Sequence, residues 1–300
     1  MRVLITGATG LIGTELSRLC REKGIKVNYL TTSKSKIEKK DDYQGFFWDP
    51  NSQEIESGCL EGVQTIVHLA GASIAEPWSD SYKRKIIKSR TETAKLLYKT
   101  LEKTSNQVEN FISASAIGVY PSSLEKLYFE DDQQVADNFV GEVVRKWEAA
   151  ADQFEELGID VAKIRVGLVL AENGGMLEKI KKPISLNMGA ALGSGKQWQS
   201  WIHIKDLAGI FLFAIENELT GVYNAVAPNP VTNKEMTKEL AQKMGKSVWL
   251  PNVPKFALKT LLGEMSQIVL SSQLVSSKKI EEVGYNFEYT NLSRALGDLT

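Results

Sequence analysis

Residues 1–13, MRVLITGATGLIG, combine a strand, a tight turn and the start of a helix. Arg2 to Thr6 is a short apolar run, enough for one buried parallel strand. Gly7, Gly10 and Gly13 follow at spacing G-x-x-G-x-x-G, and from Leu11 onward the apolar residues fall at helical intervals. Glycines let the backbone turn sharply and approach a ligand closely. The unpaired N–H groups and the dipole at the helix start favour a pyrophosphate. The dinucleotide fingerprint G-x-G-x-x-G differs by one residue, so the match rests on its context between strand and helix. A Gly-rich turn without a ligand has the same spacing. On the cofactor reading the contact residues are Gly7, Thr9, Gly10, Leu11, Ile12 and Gly13.

Outward from this turn the chain alternates strand and helix. Strands are expected at 26–30, 45–48, 64–69, 110–115 and 160–166, with helices at 11–22, 79–103 and 137–157. This alternation predicts βαβ units and a doubly wound parallel α/β sheet. After about residue 170 the rhythm changes. Gly174, Gly175, Gly189, Gly193 and Gly195 mark loops, and a strand at 222–226 and helices at 232–244 and 256–262 follow, the last two separated by a proline-bracketed turn at 250–254. We therefore expect a cofactor-binding domain over 1–172, a return segment near 200–227, and a smaller α/β lobe over 173–300 on the substrate side.

Composition limits the partners. A chain of 300 residues exceeds the roughly 100–200 of a typical domain, and a hydrophobic fraction of 43% supports a large core. The net charge of −1 argues against recognition of nucleic acid or a membrane surface by charge. Cys20 and Cys59 give neither metal-ligand spacing nor a disulfide framework, which suits a reducing compartment. No apolar run approaches the ~20 residues of a membrane span. With a strand opening at residue 2, these features predict a cytoplasmic protein without a targeting segment.

The end of the second strand bears on the cofactor. An acidic residue there accepts hydrogen bonds from the adenosine ribose and selects NAD. Here the segment reads LTTSKSK, residues 30–36, and no carboxylate appears before Glu38. The hydroxyls of Thr31, Thr32 and Ser33 with the cations Lys34 and Lys36 suit a 2′-phosphate, so NADP is expected over NAD. A solvated loop has a similar composition.

TGATGLIG, VHLAG at 67–71 and SASAIGVY at 113–120 resemble extended short-chain dehydrogenases/reductases of the NAD(P)-dependent sugar-epimerase type. SASAIGVYP, WE at 147–148, GSGKQWQSWIHIKDL at 193–207 and VPKFALKTLLGE at 253–264 resemble its atypical "epimerase family protein" subgroup. That subgroup carries a C-terminal domain of unknown function, and the resemblance runs nearly end to end. It implies a Rossmann-type fold and further cofactor contacts at Leu69, Ala70, Gly71, Ser89 and Arg165. It also implies a homodimer formed through helices 79–103 and 137–157.

The family's chemistry uses Ser, Tyr and Lys. The Tyr moves a proton to or from a substrate oxygen, the Lys lowers its pKa, and the Ser positions that oxygen. Ser115 matches the Ser. Counting back from Glu148, the Tyr and Lys positions are Val140 and Val144, and DNFVGEVVRKWEAA holds no tyrosine. Arg145 and Lys146 lie nearby without restoring a phenol. Tyr120 is a candidate replacement, with a packed aromatic as the alternative. His203 is a weaker one, since its segment resembles a structural return in which Asp206 starts a helix. His68 reads as a strand residue. Ser89 and Arg90 stand where related enzymes have a supporting Asn, and Arg90 faces cofactor, acidic ligand or solvent.

The run 188–201, MGAALGSGKQWQSW, suits a loop closing on a ligand, with Lys196 and Gln197 as polar contacts, or an interlobe connection with Trp in the core. Six tryptophans near cleft-forming segments give a weak hint of a planar or apolar ligand. Together these observations predict an NADP(H)-binding oxidoreductase or nucleotide-sugar-epimerase-like enzyme for a small carbonyl or hydroxyl substrate. The rival expectation is a non-catalytic dinucleotide sensor or scaffold.

Overall fold

The computed structural model describes residues 1–300. Seven strands run parallel: β1 (Arg2–Thr6), β2 (Lys26–Thr31), β3 (Tyr43–Asp49), β4 (Thr65–His68), β5 (Asn110–Ala116), β6 (Asp160–Val166) and β7 (Gly221–Ala225). Their spatial order is 3-2-1-4-5-6-7, and residues 39–40 and 54–55 add short antiparallel strands beside β3. The helices are α1 (Leu11–Glu22), α2 (Asp80–Lys103), α3 (Phe139–Asp152), α4 (Gly175–Ser185), α5 (Ile204–Glu216), α6 (Asn233–Lys243), α7 (Lys255–Leu262), α8 (Ser266–Leu270), α9 (Lys278–Glu282) and α10 (Leu292–Leu299).

The inner strands are buried on both faces, as a parallel sheet requires. Val3, Leu4 and Ile5 of β1 have no exposed surface, and their side chains alternate between two cores. On one face Val3 and Ile5 meet Leu16 and Cys20 of α1 and Ile210 and Phe211 of α5. On the other, Leu4 meets Leu97 and Leu101 of α2 and Ala151 of α3. This is a Rossmann-type doubly wound sheet. The chain leaves β1 toward β2 on one side and returns to β4 on the other, so a crevice opens at the C-terminal end of β1.

The helix starts follow local rules. Ser79 caps α2 by accepting from Tyr82 N, Asn138 caps α3 from Gly141 N, and Thr232 and Glu235 form a capping box on α6. The helix expected over 137–157 stops being α-helical at Asp152, continues as a 3₁₀ turn, and ends at Gly158 with φ of 73°. The glycines at 174 and 175, expected in a loop, open α4, which also accommodates Pro183.

The remaining residues form a separate core around Leu177, Trp201, Leu240 and Leu296. Short strand pairs tie it to the sheet: 168–170 with 201–203, and 127–128 with 274–275. Asp206, in the first turn of α5, accepts from Tyr285 Oη at 3.1 Å, Glu288 N at 2.8 Å and Tyr289 N at 2.9 Å. It fixes the segment after α9 against the sheet domain. No helix is long and apolar enough to cross a membrane.

Candidate functional site

The C-terminal ends of the parallel strands bring the glycine turn, the end of β2, the segment after β4 and the end of β5 to one edge. Gly7 has φ of +71°, and a Cβ there would lie 3.0 Å from the carbonyl carbon and oxygen of Leu69. A Cβ on Gly13 would lie 2.2 Å from Gly7 O and 2.6 Å from Ala8 Cα. The turn therefore needs glycine at both positions to hold α1 tight against β1. Gly10 N donates to Gly7 O at 3.0 Å. The next amides, Leu11, Ile12 and Gly13, begin α1 with no side-chain cap and no acidic residue in the first turn. A cradle whose space a Cβ would fill, below a helix start with free donors, fits a dinucleotide pyrophosphate. Thr9 is exposed beside it.

After β4 the backbone is held from inside. Thr6 Oγ1 accepts from Leu69 N at 3.1 Å and Ala70 N at 3.0 Å, and contacts His68 Nδ1 at 2.9 Å. Having accepted two amides, the hydroxyl donates to Nδ1, which places the imidazole hydrogen on Nε2. That nitrogen lies 3.2 Å from Thr93 Oγ1. The Leu69 and Ala70 amides are thus used from inside, and their side chains pack against the cores on the two faces of the sheet. Ser89 Oγ accepts from Ala72 N at 2.8 Å, and Arg90 Nη1 donates to Ala72 O and to Ile86 O. The Arg90 guanidinium packs 4.8 Å from the Trp147 ring, and burial lowers its pKa to about 10. Ser89 and Arg90 clamp the 69–72 loop onto α2; Arg90 faces neither open solvent nor an acidic partner.

At the end of β2, Thr31 Oγ1 accepts from Ser33 N at 3.2 Å. Thr32 and Lys34 are exposed and Ser33 is half-exposed, with no carboxylate among them. Glu38 pairs with Lys40 at 2.5 Å, beyond this turn.

Beside the crevice lies a cavity of about 500 Å³. Ala116 and Gly118 at the end of β5 and just beyond it, Val166 and Gly167 at the end of β6 and just beyond it, Val140 of α3 and Trp198 line it. A Cβ placed on Gly175, also on its wall, would lie 3.6 Å from Leu11 Cδ2, so the cavity adjoins the start of α1 after the glycine turn. Val140 occupies the cleft at the Tyr position, against Gly118. Val144 is buried among Ile117, Val119 and Tyr128, where no partner awaits an ammonium. The ionisable side chains on the cavity wall are Glu76, Glu178 and Lys179, all exposed at its rim. Its floor is apolar and amide.

Three expected site residues need correction. Ser115 is 2% exposed, and its hydroxyl donates to Glu148 Oε1 at 2.5 Å instead of facing the cleft. Arg165 grips the same carboxylate through Nε at 2.8 Å and Nη2 at 3.0 Å, and Nη1 donates to Tyr120 Oη at 2.9 Å. Tyr120 is 1% exposed and donates to Asn224 Oδ1 at 2.8 Å. Tyr120 is therefore no cleft acid, and Arg165 has no free fork for a cofactor. Burial opposes the Glu148 charge, but Arg165 and Ser115 outweigh it and hold the carboxyl below its usual range. This buried network joins β5, α3, β6 and β7. Sequence reasoning missed it because its members are far apart in the chain.

The polar contacts in 188–201 also shift. Gln197 is buried and donates to Leu192 O and Val269 O, and Lys196 is exposed away from the cavity. Trp198 and Gln199 line the cavity instead. Of the other tryptophans, Trp48 and Trp201 are core and Trp249 is 71% exposed.

His203 is also structural. Its Nδ1 accepts from Lys205 N at 3.2 Å, its ring stacks on Tyr289 with centroids 3.8 Å apart, and it has no exposed surface. Burial pushes both histidines down to about 4, from an ordinary value near 6.5. The unfolded chain then binds more protons than the fold between those limits. Their stabilisation is complete above about pH 6.5 and is lost as pH falls toward 4. Urea unfolding at pH 7 and pH 5 should differ by about 2 kcal/mol per histidine. His68→Gln and His203→Asn should each remove one share of that difference.

Residues 3–225 match the NAD dependent epimerase/dehydratase family, and residues 253–299 match a domain of unknown function, DUF1731. An epimerase family protein of Staphylococcus aureus (strain NCTC 8325) is 35% identical over 300 residues, covering 99% of this chain and 98% of its own. Human epimerase family protein SDR39U1 (isoform 2), solved with NADPH, is 29% identical with a TM-score of 0.86, covering 100% of this chain and 99% of that one. A nucleoside-diphosphate sugar epimerase from Corynebacterium glutamicum is 33% identical with a TM-score of 0.79, this chain matching 58% of its length. The glycine turn, the strand-end cleft and these matches have one conclusion: the chain belongs to the NAD dependent epimerase/dehydratase family, as an extended short-chain dehydrogenase/reductase carrying a DUF1731 segment.

Proposed function

We propose that this protein binds NADP(H) at the glycine turn and acts as an oxidoreductase or epimerase-like enzyme on a small carbonyl or hydroxyl compound in the adjoining cavity. The observation that carries this is the joining of the two features: the cradle of Gly7, Gly10 and Gly13 adjoins a cavity of about 500 Å³ at the same sheet edge. The NADPH in the human relative's structure adds support. Leu11, Ile12 and Gly13 would hold the pyrophosphate, and Thr32, Ser33 and Lys34 the 2′-phosphate. When bound, the cofactor supplies a hydride donor or acceptor.

The chain's own residues orient and enclose. Gly118 and Val140 shape the floor, while Trp198 and Met176 exclude water from one side. Protonation of a substrate oxygen falls to water or to the rim groups Glu178 and Lys179, since no phenol or imidazole lines the cavity. Deuterium transfer from 4-deuterated NADPH to a panel of aldehydes and ketones tests the catalytic reading.

Val140 and Val144 favour a second reading, a protein that retains the cofactor and reports its state without turnover. Saturable binding with no deuterium transfer to any compound would point there. Pairing of two copies through α2 and α3 is part of the proposal, and a sedimentation measurement giving monomer would remove it.

Cofactor choice gives a separate test. Thr32→Asp with Lys34→Ala places an acid where the ribose would bind and removes a phosphate partner. NADPH affinity should fall roughly tenfold or more, the value of one charge-assisted hydrogen bond, and NADH affinity should not fall with it. An equal loss for both cofactors would contradict the assignment of this turn.

A further inference from the structure

Against the main cavity lies an apolar annex of about 250 Å³. The two share Ile74, Ala75, Met176, Lys179 and Ile268, so one wall continues into the other. The annex runs between α4 and α7–α8, lined by Ile180, Ile184, Leu192, Leu258, Leu262 and Val269. Its one ionisable lining residue, Lys179, donates from Nζ to Ala75 O at the junction. The polar lining residues are largely engaged by the protein: Asn233 Oδ1 accepts from Leu192 N at 2.8 Å, and Thr237 Oγ1 donates to Asn233 O at 2.8 Å, leaving the Asn233 side-chain nitrogen without a protein partner. Gly189 and Ala190 keep the wall shallow; a Cβ on Gly189 would lie 2.8 Å from Ile184 Cγ1.

We propose that the ligand of this cleft carries an apolar limb, an alkyl chain or unsubstituted ring, seated in the annex while its carbonyl or hydroxyl occupies the main cavity. The inference rests on the cofactor-and-cleft reading above. An aliphatic cavity of about 150 Å³ holds benzene, so this annex takes a longer chain or larger ring. A sugar or nucleotide limb is disfavoured by this lining. Most of its hydroxyls or phosphates would be buried without partners, which is costly. The opposite side of α7 has a different character: Lys255 and Lys259 meet Ser122, Ser266 and Ser271 in a polar recess. The apolar limb therefore has one route, toward α4.

The test is calorimetric titration of NADPH-saturated protein with unbranched methyl ketones from 2-butanone to 2-nonanone. Binding tightens about fourfold for each added methylene until the annex is full, then levels. Ala190→Phe and Leu262→Trp, which fill the annex from two walls, abolish that gain while NADPH affinity is unchanged. If ketone affinity does not depend on chain length while NADPH still binds, the annex proposal fails and the cofactor reading stands. If the gain persists in both filled variants, the ketones bind elsewhere and the proposal fails as well. Loss of NADPH binding by the unaltered protein removes the reading on which it rests.

Discussion

Gly13→Ala should lose NADPH affinity by on the order of 100-fold while the protein still folds. The new methyl group would lie 2.2 Å from Gly7 O and 2.6 Å from Ala8 Cα. Both are backbone atoms of the turn, which cannot swing aside as a flexible side chain does. The start of α1 must therefore retreat from β1, carrying the Leu11 and Ile12 amides with it. Each hydrogen bond to a charged group is worth about 1.5–3 kcal/mol, so loss of two at the lower value already gives a change of that size. Circular dichroism should retain the α/β signature, with a lower melting temperature from the strained helix–strand contact. Gly24→Ala is the contrast: Gly24 has φ of +73°, but a Cβ there meets nothing within 4 Å. It should cost some stability through backbone strain and leave NADPH affinity unchanged.

Glu148→Gln should cost about 3–5 kcal/mol of stability, the range for breaking a buried ion pair on one side. The substitution removes the charge that Arg165 grips through two nitrogens and leaves the guanidinium 8% exposed without a counter-ion. For a chain of this size the melting temperature should fall by on the order of 10 °C. Replacing both members, Glu148→Met with Arg165→Met, should cost less than Glu148→Gln alone, because two apolar groups leave no unpaired charge. Ser115→Ala removes one hydrogen bond to the same carboxylate and should cost about 1.5–3 kcal/mol. If Ser115→Ala left stability unchanged but abolished turnover, Ser115 would be acting on substrate, contrary to its place beside Glu148.

The parts of the site legible in the sequence are those set by adjacent residues. Gly7, Gly10 and Gly13 announce a turn because backbone conformation and close approach are local needs. The runs at 2–6, 110–115 and 160–166 announce buried parallel strands because both faces are covered. Val140 and Val144 are assigned to the Tyr and Lys positions by counting along one helix, and the structure adds where they lie: one lines the cleft and the other sits in a closed apolar cluster.

The illegible parts depend on distant packing. Tyr120, Glu148, Arg165 and Asn224 are joined by a network spanning 104 residues between Tyr120 and Asn224. A tyrosine five residues after Ser115 is chemically attractive until its partners close it off. Gln197 and Gln199 lie two positions apart, and pairing of the local backbone, not composition, decides which borders the cavity. The helix α4 was hidden by Gly175 at its start and Pro183 inside it, two residues that ordinarily speak against a helix. The annex between α4 and α7 was hidden with it.

The central claim is that the glycine turn still holds an NADP cofactor although the tyrosine and lysine of the family's chemistry are valines. Isothermal titration of the unaltered protein with NADPH and then NADH tests it most directly. One saturable site per chain, tighter for NADPH than for NADH, is the predicted result. Absence of saturable binding for both cofactors would contradict it.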